Sequence, residues 1–470
     1  MSVAQKQVRR MDYSPDEIVR SQGGRGETFA SLLERRISRR GLLKGSVVAT
    51  GALVLSTAVR VDVDAGFVKP GVSSRYGHVA FQPIPKQPED SQQIVLAAGH
   101  RWSPLLKWGD PIRFDGPEFD PWNQTAERQA QQVGYNCDYI GWHPLPFAAD
   151  DSDRGLLLVN HEYTNAELMF ANFDPDAKTR EQVDIELEAH GATIIELQRD
   201  PATGRMTPNL LSPYNRRITG TTPIAISGPA AGHPWMCTSG DPEGRLVLGM
   251  LNNCAGGITP WGTILTCEEN FQGYFGHLSN LSADDPRHAV HKRYGLSDAG
   301  GYAWEEHYGR FSIGAEPNEA FRFGWVVEID PYHPDSQPVK RTALGRFRHE
   351  GATFGWSPSG RVVFYSGDDA RFEYIYKYVS NQVWDPMKYG MNQGLLDDGV
   401  LYVAKFNDDG TGEWLPLVYG VGPLTSDNGF TSQGDVLIRT RIAADVLGAT
   451  KMDRPEDIQQ NPISKKVYAA

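Results

Sequence analysis

The chain has few cysteines, no long apolar run and little basic charge, and each shortage excludes a class of protein. Its four cysteines in 470 residues, Cys137, Cys237, Cys254 and Cys267, show no CxxC spacing and so do not point to a zinc ribbon or finger. Two disulfides in one of three pairings, free buried thiols, or a single metal-bound thiolate are all compatible with them. No apolar stretch approaches the roughly twenty residues that a spanning helix needs, so no stable membrane span is expected. A Walker-type glycine loop, a GxSxG elbow and an HExxH helix are also missing, which weighs against nucleotide-dependent transfer and serine-hydrolase chemistry. The net charge is −12, and the first 44 residues hold ten of the 46 Lys and Arg but only five of the 58 Asp and Glu, so the remainder is more acidic still. Such a surface repels nucleic acid and suits a protein that holds divalent cations, although acidity for solubility alone would look the same.

What is present begins with Ser38-Arg39-Arg40-Gly41-Leu42-Leu43-Lys44, two adjacent arginines directly before the apolar stretch from Val47 to Val59. This reads as a twin-arginine export signal; a basic patch beside a short buried helix is the alternative. The expectation is a periplasmic or extracellular protein passed in the folded state by the twin-arginine machinery. Export after folding suits a protein that loads a metal or cofactor first. Residues 1–59 are read as the signal region, 60–93 as a linker rich in Pro, Gly and Gln, and 94–470 as the body.

In the body, short runs of Val, Ile, Leu, Tyr, Phe and Trp alternate with Gly, Pro, Asp and Asn, the pattern of strands and turns. Asp200–Gly204, Asp241–Gly244, Ser357–Gly360 and Asp408–Gly412 share one turn grammar and are expected at hairpin tips. Their spacing predicts an all-β fold, a β-propeller of four-stranded blades with a long insertion between Gly244 and Ser357; a β-sandwich is the alternative. The final residues, Lys466 to Ala470, read as the start of a strand, so the propeller is expected to be truncated at its C-terminal end.

Three segments concentrate chemistry. Cys267, Glu268, Glu269 and Asn270 end an apolar strand; a regular strand aims only one of the two glutamates at a given site, and solvated or core roles are the plainer reading. In Gly367-Asp368-Asp369-Ala370-Arg371-Phe372-Glu373, Arg371 and Glu373 share a face, so that the carboxylate would bind a hard cation while the guanidinium forks onto an oxyanion; Asp368 and Asp369 add two more oxygen ligands, or else only make the turn. An Arg–Glu surface pair is the alternative there. Asn160 and Glu162 follow the strand Leu156-Leu157-Leu158-Val159, with Asn160 able to donate to a phosphate oxygen and His161 better suited to packing. His349-Glu350 and Met452 to Asp457 are further concentrations of possible ligands.

Taken in order, Asn160-His161-Glu162-Tyr163, Thr259-Pro260-Trp261-Gly262-Thr263, Leu265 to Phe271, Phe323 to Pro331, Gly345-Arg346-Phe347-Arg348-His349-Glu350 and Lys451 to Glu456 resemble the PhoX-type alkaline phosphatase family. The resemblance implies a calcium-dependent, iron-containing phosphomonoesterase on a β-propeller, exported folded, that releases phosphate from phosphate monoester substrates. It also implies metal ligation by Glu268, Glu269 and Glu373, phosphate binding by Arg371 and Asn160, and a cysteine thiolate on iron, for which Cys267 is the candidate and Cys254 lies nearby. Two other readings stay open: an exported propeller that only binds a phosphorylated ligand, and a calcium-dependent propeller hydrolase of phytase-like or lactonase-like type.

Overall fold

The computed structural model describes residues 83–149, 153–390 and 394–470; the twin-arginine segment and most of the linker lie outside them. The chain divides after Ser103. Residues 83–103 form turns without a helix or strand. From Pro104 onward the protein is mostly β-sheet, and among the described residues the longest helix has ten residues.

The first sheet has the path β1 (Cys137–Pro144), β2 (Arg154–His161), β3 (Gly191–Arg199), β4 (Met206–Pro208), with β5 (Arg216–Ile218) also paired to β3. The second joins β6 (Pro223–Ser227), β7 (Leu246–Leu248), β8 (Asn253–Ile258), β9 (Ile264–Glu268), β10 (Val326–Ile329) and β11 (Val339–Arg341) in the order β7-β6-β11-β10-β9-β8. In the third, β12 (His349–Trp356) and β13 (Arg361–Asp368) are followed in the chain by β14 (Arg371–Glu373), which leaves the sheet, and then by β15 (Ile375–Val383), β16 (Gly399–Phe406) and β17 (Gly412–Pro416). β14 pairs instead with β18 (Met452–Asp453), and β19 (Ile458–Gln460) pairs with β20 (Val467–Ala469), the strand read at the end of the sequence.

Apolar runs become strands covered on both faces: Gly155 through His161 of β2 are all buried, as a continuous Leu and Val run requires. Three of the four similar turns sit at hairpin tips, between β3 and β4, β12 and β13, and β16 and β17. Asp241–Gly244 instead belongs to a longer excursion between β6 and β7. The expected insertion falls between β9 and β10, where 3-10 turns and one helix wrap an aromatic core of Phe271, Tyr274, Phe275, Tyr294, Trp304 and Phe311.

The short helices carry clear end signals. α1 (Ala126–Gln129) and α2 (Ala166–Met169) are single turns. α3 (Arg180–Ala189) opens on a capping box between Thr179 and Gln182. α4 (Pro286–Arg293) starts on the Asp285 cap and ends at Gly295, φ +84°, whose N–H bonds Lys292 O while that of Leu296 bonds His291 O, the double closure that favours glycine. α5 (Gln433–Ile438) and α6 (Thr440–Leu447) cover the third sheet's core. No described helix is long and apolar enough to cross a membrane.

Buried histidines make this core sensitive to acid. Burial depresses His143 and His190 to about 4 and His291 to about 3. In the folded chain they stay neutral, whereas the unfolded chain binds protons below its ordinary histidine pKa of about 6.5. The stability they contribute is therefore complete above that value and lost as pH falls toward 4, on the order of 1–3 kcal/mol for each. We expect the melting temperature to drop between pH 7 and pH 4.5 and the drop to shrink in His143→Phe; a flat profile over that window would refute the assignment.

Candidate active site

The edge strands β1 of the first sheet, β8 of the second and β12 of the third pack together. Strand ends at this junction deliver the ligand-capable groups. Cys254 is the second residue of β8, Glu350 the second of β12, and Glu269 the first residue beyond β9. The Cys254 thiol and one oxygen each of Glu269 and Glu350 lie within 4.8 Å of one another. The thiol points at Glu350 Oε2, 3.3 Å away, and at His349 O. The chain turn after β9 is pinned by Asn252: its carbonyl accepts the Glu269 N–H at 3.0 Å, and its Oδ1 accepts the Asn270 N–H at 2.7 Å.

This is a concentration of negative charge with few cations set against it. Burial, and then nearby carboxylates, push Glu350 up to about 8 and Glu269 well above the usual range. Burial and the charges of Glu269 and Glu350 likewise raise the Cys254 thiol. Asp369 is felt by both glutamates, and its Oδ1 is buried with no hydrogen-bond partner, while Oδ2 accepts from Arg454 at 2.6 Å. Beside them Glu162 is raised to about 8 by burial and by Asp138, with which it shares a hydrogen bond. Groups of this kind are stable together when a cation lies among them, since a bound cation favours the ionised forms that burial opposes. Carboxylates suit a hard ion such as calcium, and a thiolate joined to carboxylates suits iron, so the donor set fits both types of metal.

Arg348, two residues before Glu350, places a guanidinium at the edge of this cluster. Its charge is attracted by Glu269, Asp368 and Glu373 and repelled by Arg441, and its buried Nε has no hydrogen-bond partner. A side chain at Gly295 would begin 3.1 Å from Arg348 Nη2, so the glycine that closes α4 also leaves room for this guanidinium.

The residues expected from the sequence are distributed unevenly around this centre. Glu269 and Asp369 are in it. Glu268 is turned the other way: fully buried, it bonds Lys340 Nζ at 2.7 Å and accepts the N–H groups of Leu251, Gly324 and Trp325, which uses both its oxygens. Glu268, expected as a ligand, is thus bonded to Lys340 and to backbone N–H groups away from the cluster, since strand alternation lets only one of the two glutamates face it. Cys267 is packed with Trp261, Leu265 and Phe347, and the thiol in the cluster is that of Cys254 across the hairpin. The Asn160 side chain donates to Cys254 O and Ala255 O and accepts from Thr266 Oγ1, so it braces the backbone of β8 instead of presenting its amide to a ligand. Glu373 is held by Arg293 and Arg441. Arg371 lies 3.8 Å from Asp453 across the β14–β18 pair. Cys254, Arg348 and Glu350 were not singled out by spacing, although Arg348 and Glu350 repeat the two-residue Arg–Glu spacing of Arg371 and Glu373.

Comparison with known proteins bears on this centre. No curated protein matches the chain. A solved structure described as Pseudomonas fluorescens PhoX in complex with vanadate, a transition state analogue, is similar at 44% identity with a TM-score of 0.75, over 80% of this chain and 65% of that one. The chain thus spans somewhat less than two thirds of that relative's length. The model of the family described as alkaline phosphatase PhoX matches residues 79–470, which include every member of the cluster, and the chain belongs to that family.

Proposed function

We propose that this protein is an exported, metal-dependent alkaline phosphomonoesterase. The observation that carries the reading is the group of Cys254, Glu269 and Glu350, with the unbonded oxygen of Asp369 nearby, bordered by the guanidinium of Arg348. A phosphate monoester is a dianion, which a carboxylate cluster repels until cations occupy it. Calcium and iron are the ions we assign. Glu350, Glu269 and Asp369 supply oxygen ligands, and Cys254 supplies the thiolate that favours iron. Bound metal would neutralise the ester and stabilise charge on the departing alkoxide.

The protein's own groups then divide the remaining work. Arg348 forks onto two non-bridging phosphate oxygens and fixes the ester's orientation for in-line displacement. Asn160 keeps Cys254 in register through its carbonyl. Lys340 neutralises Glu268 in the core, so that this carboxylate does not add to the charge of the cluster. The hydrogen-bonded Asp138 and Glu162 carboxyls, which interact electrostatically with Glu350, are the groups we assign to accept the proton of an attacking water.

Further parts of the reading rest on other observations. The convergence of three edge strands supports a β-propeller in which β1, β8 and β12 are the innermost strands of blades. The arginine pair before Val47 supports export by the twin-arginine pathway to the periplasm or beyond. In the test, natively exported protein is assayed on p-nitrophenyl phosphate at alkaline pH with calcium and again after a chelator. Turnover that the chelator abolishes is expected. Tight phosphate binding with no turnover, while metal is shown to be bound, would favour a binding protein instead.

A further inference from the structure

A cleft of about 350 Å³ beside β14 takes no part in the reading above. Phe372, Glu373, Tyr374, Arg293, Ala449 and Lys451 are among its walls. Most of its charge is already committed: Arg293 bonds both Glu373 and Asp445, and Tyr374 donates to Asp445 at 2.6 Å. The walls are thus mixed, with polar groups held in ion pairs beside the exposed ring of Phe372. Phe372 stands out in two ways. Its side chain is 68% exposed, and its backbone has φ +66°, a left-handed conformation that a bulky residue seldom adopts. Strain of this kind, held on an exposed apolar side chain, marks a place where geometry serves binding.

The cleft is walled by the strand that follows Asp369, three residues before Phe372. Glu373 lines it and is also felt by Arg348, together with Glu269. Arg293, bonded to Glu373, lies two residues before the Gly295 against which Arg348 rests. An ester whose phosphate sits on Arg348 therefore has this cleft as a neighbour for its organic part.

We propose that the cleft receives the leaving group of the phosphate ester and that Phe372 determines a preference for aromatic or heteroaromatic groups, which it packs against face or edge. The proposal rests on the phosphatase reading of the metal cluster. The metal-loaded protein is titrated calorimetrically with phenylphosphonate and with methylphosphonate, and turnover of methyl phosphate is measured separately. The wild type is expected to bind the phenyl compound about tenfold more tightly, the scale of a modest hydrophobic subsite. Phe372→Gly removes the ring and accepts the positive φ without strain, so it is expected to fold and to lose the tenfold gap; Phe372→Tyr is expected to keep it. A wild type without the gap, or a Phe372→Gly variant that retains it, would overturn the proposal. Loss of the gap in Phe372→Gly, in a protein that fails to turn over methyl phosphate, would uphold the cleft as an aryl subsite and overturn the catalytic reading alone.

Discussion

Glu350→Gln is expected to lower phosphomonoester turnover by about a thousandfold or more, in step with a fall in bound metal. Glutamine preserves the volume of the side chain and removes its charge, so β12 and its neighbours should keep their packing. The change removes one of the three groups that meet within 4.8 Å and leaves Cys254 facing an amide instead of a carboxylate. Cys254→Ser makes a second test of the same centre, because a hydroxyl is a poor substitute for thiolate toward iron. Cys267→Ser, in the adjoining core, is expected to reduce stability while the metal content stays near that of the wild type. Metal analysis of the purified variants beside their turnover decides the matter. Full metal occupancy in Glu350→Gln would remove this residue from the ligand set.

Arg348→Ala should reduce kcat/KM by about a hundred- to ten-thousandfold while metal content is unchanged, the range expected when a preorganised charge on a transferring phosphoryl group is lost. Inhibition by inorganic phosphate is expected to weaken in parallel, because the same guanidinium holds the product. Arg348→Lys restores the charge without the planar fork and is expected to recover only part of the loss. The guanidinium is well placed for this role because its buried Nε has no hydrogen-bond partner among the described residues and its neighbour Gly295 has no side chain to displace it. A variant with normal kcat/KM and weaker metal binding would instead make Arg348 a partner of the ligand Glu269.

The β character was legible because it follows from apolar runs and turn chemistry alone. The Ser357–Gly360 and Asp408–Gly412 turns form hairpin tips for the reasons their residues imply, namely preset φ and a tolerated positive φ. The rule that adjacent strand residues face apart correctly limited the Glu268–Glu269 pair to one inward-facing member at the cluster, but period alone does not say which. That choice is made by Lys340, seventy-two residues away in sequence, which neutralises Glu268 in the core. The two-residue Arg–Glu spacing occurs twice, at Arg348–Glu350 and at Arg371–Glu373. Only the fold separates them, since Arg293 and Arg441 claim Glu373 whereas Glu350 meets a thiol. Asn160 shows the same limitation. Its position at a strand end was readable, but the carbonyls that satisfy its amide belong to a strand some ninety residues later.

The meeting of β1, β8 and β12 also bears on the order in which this molecule is made. Its candidate metal-binding groups come from the second and third sheets, and until those sheets have docked there is no site for an ion to enter. Loading is thus a late event, and an ion that binds only the docked arrangement draws the folding equilibrium toward it by mass action. Before loading, the same carboxylates repel one another across the junction. On the proposed function, removal of the metal would therefore loosen the contact between sheets as well as stop chemistry, so a chelator would act on the architecture of the protein and its activity together.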